Sequence, residues 1–248
     1  MLFTGAHWYV GVLQLLLLAA ETAFAARFLA VHKTVNLAFI RCAGAYLFVY
    51  KLFEYVSKQI LPLDFSALSY FLMGVSAVVP LRQMRTAASF SAFLSGLIYI
   101  VSMIIFPETH FATTLRAFDC YFAMFNHNLL YIGALGISAY YAFRKEDTLW
   151  IFGWLGIYVC YAFTVVDRFG DMGTTIMKIL DGSVVNIVFP DFVPAPWYYA
   201  VYYVGCAAAL CLIIVAVYAL NRRFHRRDSR VLPPLDRRAL LHSYNLLH

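Results

Sequence analysis

Apolar residues fall in long runs along this chain, and the polar positions punctuate them instead of alternating with them. The runs cover residues 7–29, 35–56, 62–79, 87–106, 116–143, 149–166 and 197–220. A hydrocarbon layer ~30 Å thick takes ~20 apolar residues of helix to cross, and a helix satisfies its own backbone where no water reaches. The pattern predicts an all-α polytopic membrane protein of about seven transmembrane helices. Pro62 opens the third run, Pro80 ends it, and Pro107 closes the fourth, each removing a backbone donor that a continuing helix needs. Ala23-Phe24-Ala25 looks like a signal-peptidase site, but no Lys or Arg precedes the run, so the first helix is expected to be retained.

The longest connection is 167–196. Its apolar part, 172–188, carries Lys178, Asp181 and Asn186, which suits a re-entrant or interfacial segment better than a full crossing. The last run begins with Trp197-Tyr198-Tyr199, residues that favour the membrane interface. It ends in Arg222, Arg223, Arg226, Arg227 and Arg230. The expected organisation is one transmembrane domain, 1–220, and a basic cytosolic-side tail, 221–248.

Polar residues inside the fifth run change the picture. Asp119, Asn126, His127 and Asn128 occupy its first half. A charge at membrane depth costs ~2.5–3.5 kcal/mol or more, so such groups turn toward a bundle interior, a cavity or a partner. At about 100° per residue, Asp119 and Asn126 lie nearly on one line and His127 about 80° round from Asp119. The other helices are expected to gather round that side. In the second run, Lys51 and Glu54 stand three apart and can neutralise one another.

The 248 residues are 63% apolar and only 13% charged, which excludes an ordinary soluble domain. The net charge of +6 resides in loops and tail, so it reads as topology and not as a nucleic-acid surface. With the tail inside, Arg27, Lys33, Arg82, Arg85, Arg144 and Lys145 share its side, and Lys58, Arg116, Arg168 and Lys178 lie opposite. Seven crossings with the N-terminus outside satisfy the positive-inside bias. Five cysteines (42, 120, 160, 206 and 211) all fall in apolar segments without CxxC spacing and are expected to be small core residues. Nothing in the spacing calls for a metal or cofactor.

Candidate chemistry gathers at the outer ends. Ser66 enters the third run from outside, the fifth enters through Asp119 and His127, and the long connection brings Asp167, Arg168 and Asp171 over the same face. A Ser beside a His is the smallest unit of nucleophilic acyl chemistry, the imidazole taking the hydroxyl proton and returning it. Asp119 would orient that ring, or pair with Arg116 or Arg168. By helical rise His127 lies about 12–20 Å deep and Ser66 several ångströms, so the two meet only through tilt or an outer cleft.

The order Leu61-Pro62-Leu63-x-x-Ser66, a fourth run ending at Pro107, Phe122-x-x-Phe125-x-His127 and Pro196-Trp197-Tyr198-Tyr199 resembles the YwaF-like integral membrane proteins. These are distantly similar to eukaryotic transmembrane acyltransferases and androgen-induced-gene-type lipid hydrolases. The resemblance spans about residues 5–220. It implies a helical bundle that uses a Cys or Thr nucleophile and an intramembrane His on acyl lipids, at positions matching Ser66 and His127. The bacterial pattern reads Pro-Leu-His-x-Cys, so Asp64 and Ser66 here replace its His and Cys. A hydroxyl is the weaker nucleophile.

The leading expectation is thus a hydrolase or acyltransferase of acyl lipids, with membrane lipids as partners. A second is a non-enzymatic scaffold or accessory subunit of a membrane protein complex. A third is a small-solute or proton transporter, relaying through Glu21, Lys51, Glu54, Asp119 and His127. A rhodopsin-type reading is set aside because the last run has no Lys for a Schiff base.

Overall fold

A computed structural model describes residues 5–59, 61–62, 64–79, 81–114, 116–169, 175–187, 189 and 191–231. Among them every regular element is helical. Helix α1, Trp8–Phe24, runs on into a π-helical turn, Ala25–Leu29. Then follow α2, Lys33–Lys58; α3, Phe65–Val78; α4, Arg82–Ile105; the short α5, Pro107–Thr113; and α6, Ala117–Tyr140. After a 3₁₀ turn, Lys145–Asp147, come α7, Thr148–Phe169; α8, Thr175–Leu180; another 3₁₀ turn, Ser183–Ile187; and α9, Tyr198–Val231.

Five of these, carrying 8–29, 33–58, 82–105, 145–165 and 198–226, are long and apolar enough to cross a membrane. Helix α3 is apolar, but its 14 residues rise only about 21 Å. Helix α6 has the length, and it carries the polar run Asn126-His127-Asn128 in mid-helix. The same polar run explains where α6 lies. It packs against α1, α2, α4 and α9 at once, with Asn126 and Asn128 almost fully buried. The helices do gather round it.

Helix α4 is the other hub. Its face toward α6 carries Ser89, Ala92 and Gly96, spaced three and four apart, and small residues there let two backbones close up. Ser89 donates to the Ala134 carbonyl at 3.0 Å. A Cβ on Gly96 would stand 2.8 Å from both the His127 carbonyl oxygen and the Tyr131 nitrogen, so only glycine permits this approach. Helix α2 ends on Gln59, whose left-handed φ of 54° closes the helix through a bond from its N–H to the Val56 carbonyl.

Basic residues assemble at one end of the bundle. Arg82 grips the fully buried Asp147 (2.9 Å), Arg85 lies 3.9 Å over the Tyr141 ring, and Lys33 donates to the Ala139 carbonyl at 2.7 Å. Asn221 of α9 ties the same end together. Its amide donates to the Ser138 and Tyr141 carbonyls, each at 2.7 Å, and its oxygen accepts from the Phe143 N–H. The anticipated domain boundary at 220 therefore falls inside an unbroken helix that runs to Val231; residues 232–248 lie outside the described residues.

The 167–196 connection forms no full crossing among its described residues. It is held by the interface aromatics at the start of α9. Tyr202 donates to the Ile179 carbonyl, Tyr203 to Leu180 and Tyr198 to Gly182. Asp171, and the side chains of Asp167 and Arg168, lie outside the described residues.

Candidate functional site

The end opposite the arginines carries the candidate chemistry, and His127 is its centre. Its Nδ1 lies 2.8 Å from the Ala123 carbonyl of the preceding turn. A carbonyl only accepts, so the proton of a neutral ring belongs on Nδ1, and Nε2 keeps its lone pair. One face of the ring lies flat on Tyr99 of α4, with centroids 3.9 Å apart and planes at 9°. Tyr70 of α3 meets it edge-on at 5.8 Å, with its hydroxyl 3.4 Å from Nδ1. The residue remains half-buried.

Ser66 does not join this group. It is half-buried on α3 and makes no hydrogen bond to His127; Tyr70, one turn deeper, takes that place. Four residues of helix rise are about 6 Å. Ser66 is simply too shallow for a base that lies in mid-helix. Asp119 is exposed on the first turn of α6 and has no ion pair with Arg116 or with any other described residue. So the Ser66–His127–Asp119 constellation expected from the residue types is not assembled by hydrogen bonds here.

The structure brings in other groups. Tyr99 contacts a second imidazole as well, since His110 of α5 lies against it at 5.0 Å. Its hydroxyl also neighbours the buried thiol of Cys120. His110 lay at a run boundary in the sequence, which gave no sign that α5 folds back to contact α1, α4 and α6. Ser102 pairs with its Nε2 at 2.8 Å, and burial holds this imidazole below its ordinary value of 6.5. Tyr46 donates to the Asn126 oxygen at 3.0 Å, and Asn128 donates to Gln14 at 3.1 Å and to the Met124 carbonyl at 2.8 Å. Gln14 Nε2 and Asn128 Oδ1 are buried without partners.

Lys51 and Glu54 pair as their spacing requires, at 2.6 Å, and Lys58 adds a third member at 2.7 Å from the other carboxylate oxygen. The Lys51 ammonium also lies 5.0–5.6 Å from the ring centres of Tyr50, Tyr55 and Tyr70. A positive charge thus stands beside the tyrosine that touches His127. Glu21 Oε2 is buried without a partner, on α1. Among the described residues, no group of three or more His, Cys, Asp and Glu side chains is placed to hold a metal ion.

Comparison with known proteins gives no match: no family model, curated protein or solved structure is detectably similar to this chain.

Proposed function

We propose that the protein is a multi-pass membrane protein that acts on acyl lipids, with His127 as a general base for acyl transfer. In this reading the chain crosses seven times with its N-terminus outside. The gathering of Arg27, Lys33, Arg82, Arg85, Arg144 and Lys145 at the end of the bundle where α9 carries its arginines supports that orientation. One observation carries the chemical reading. The Ala123 carbonyl fixes the ring tautomer and leaves Nε2 as an acceptor, while among the described residues no serine is bonded to the ring.

A base without a bound nucleophile suits direct transfer to a hydroxyl of the acceptor. The acceptor O–H gives its proton to Nε2 and its oxygen adds to the acyl carbonyl carbon. The donor C–O bond then breaks, and the leaving oxygen takes the proton back from Nε2. The resemblance to transmembrane acyltransferases and lipid hydrolases points to the same substrate class.

A second reading is a non-enzymatic subunit. The i−4 hydrogen bond and the Tyr99 stack are also what a packing histidine makes. Incubating the protein in lipid nanodiscs with a phospholipid bearing a fluorescent acyl chain separates the two. Transfer or release of the chain is expected from wild type and from Ser66→Ala, and none from His127→Gln. Equal loss in Ser66→Ala would restore the serine mechanism. An inert wild type would leave the subunit reading.

A further inference from the structure

The basic end holds a groove that is separate from the His127 site. Helices α1 and α9 both pack on α4 and α6, and between them remains a space of about 480 Å³, open along one side. That volume is within the range of small-ligand sites. Its long wall is one face of α1 and the π-helical turn that continues it: Leu15, Leu18, Ala19, Thr22, Ala23 and Ala26 recur at three- and four-residue spacing. Leu220 and Phe224 of α9 form the opposite wall. Alanines at 19, 23 and 26 make the groove by leaving out side chains. Thr22, the polar residue in its body, is already engaged, donating to the Leu18 carbonyl at 2.7 Å and lying 2.9 Å from the Tyr131 hydroxyl. The body of the groove therefore offers an occupant no hydrogen bond, and an apolar chain fills it best.

Its mouth is different. Arg27, carried on the π-helical turn that ends α1, and Arg223 of α9 both line it. Both are exposed, and neither has an ion pair among the described residues. Glu21, the acid on this stretch of α1, is not part of the lining. Two guanidinium groups above an apolar slot complement one ligand shape, a negatively charged oxygen cluster attached to a hydrocarbon chain.

We infer that the α1–α9 groove binds one anionic glycerophospholipid of the leaflet at the arginine-rich end, its phosphate between Arg27 and Arg223 and one acyl chain along Ala19, Ala23 and Leu18. Loss of each arginine is expected to weaken binding roughly fivefold, the worth of one basic residue at an anionic membrane surface.

The test uses full-length protein in nanodiscs of dioleoylphosphatidylcholine, with dioleoylphosphatidylglycerol titrated in and bound lipid counted by native mass spectrometry. Wild type is expected to retain one phosphatidylglycerol in preference to phosphatidylcholine. Arg27→Gln with Arg223→Gln should lose that preference while keeping its circular dichroism spectrum. Ala23→Phe should lose the lipid with both arginines in place, because the added ring occupies the slot. Soluble glycerol phosphate should not compete. The inference is overturned if the double arginine variant retains the lipid as wild type does, if folded wild type shows no preference, if Ala23→Phe binds unchanged, or if glycerol phosphate competes at matched concentration.

Discussion

The ring of His127 stacks on that of Tyr99, 3.9 Å away and within 9° of parallel, and so α4 holds the imidazole that α6 supplies. Stacked rings contribute about 0.5–1.5 kcal/mol beyond the area they bury. Tyr99→Leu should therefore lower unfolding free energy by more than that amount and free the imidazole to rotate. Tyr99→Phe keeps the stack and loses the hydroxyl beside Cys120, so its cost should stay near 1 kcal/mol. Denaturant titration in mixed micelles measures both. Equal losses in the two variants would mean that the hydroxyl, and not the stack, holds the site.

Gly96 lets that pairing happen. A Cβ there meets the His127 carbonyl oxygen and the Tyr131 backbone nitrogen, neither of which can swing aside as a side-chain end does. Gly96→Ala should force α4 and α6 apart, at about 1–3 kcal/mol. The same substitution at Gly153 of α7, where an added Cβ meets nothing within 4 Å, should be neutral or slightly stabilising. The pair of melting curves is the measurement. A neutral Gly96→Ala would show that the two helices have slack between them.

Lys51, Glu54 and Lys58 form a triad, which changes what removal of one member does. Lys51→Ala still leaves Lys58 on the carboxylate, so Glu54 is not stranded as a simple pair would leave it. Loss of Lys51 together with Lys58 should cost clearly more than the sum of the two single losses. Lys58 alone, with 58% of its side chain exposed, should cost under about 1 kcal/mol. Additivity within about 0.3 kcal/mol would show that the triad has no coupling.

Much of this architecture is legible in the residue pattern. The apolar runs mark where the long helices lie, the polar first half of α6 marks the helix the others surround, and Lys51 and Glu54 announce their pair three residues apart. The period of a helix fixes which residues share a face, but it says nothing about how far one helix is shifted along another. For that reason Ser66 and Tyr70, a turn apart on α3, could not be told apart as neighbours of His127. The fold-back of α5 that brings His110 to Tyr99 depends on contacts between segments, which no local spacing encodes. Asn221 was hidden by the arginines beside it, which made 221 look like the start of a tail.

Acidification should loosen the end of the bundle that carries α5. The His7 backbone N–H and ring Nδ1 both bond the Glu108 carboxylate, the latter at 2.7 Å, and these bonds hold Glu108 below its ordinary value of 4.5. A lowered carboxyl favours the folded state above pH 4.5, and that contribution is lost as pH falls through its folded value. Buried His110 binds its proton more readily unfolded, so its contribution is complete above pH 6.5 and declines below it. Melting temperature should fall in two stages on acidification. His110→Asn should remove the first stage and Glu108→Gln the second. A melting temperature flat from pH 6.5 to 4.5 would contradict the His110 assignment, and one that stays flat as pH falls further below 4.5 would contradict the Glu108 assignment.

Asn221 gives the most direct test of how the two ends of the chain's path are joined. It is 2% exposed and makes three hydrogen bonds to the backbone that ends α6 and leads into the turn before α7. Ser138 and Tyr141 lie where helical carbonyls run out of partners, and His225, one turn further along α9, adds a 3.2 Å contact to the Ser138 oxygen. Asn221→Leu has nearly the same volume and no donor, so two buried carbonyls and the Phe143 N–H lose their partner. Each unpaired group costs about 1–3 kcal/mol, reduced wherever water or His225 substitutes. A net loss of roughly 2–4 kcal/mol is expected. Asn221→Asp should be just as costly, because a carboxylate can accept from Phe143 but offers nothing to the carbonyls. Asn221→Gln should recover part of the loss if its longer amide reaches the same atoms. Hydrogen exchange locates the effect: the amides of Tyr141 and Phe143 should lose protection in Asn221→Leu, while those near Ala123 keep theirs. Unchanged protection at Phe143 would mean that α9 leans on the end of α6 without holding it.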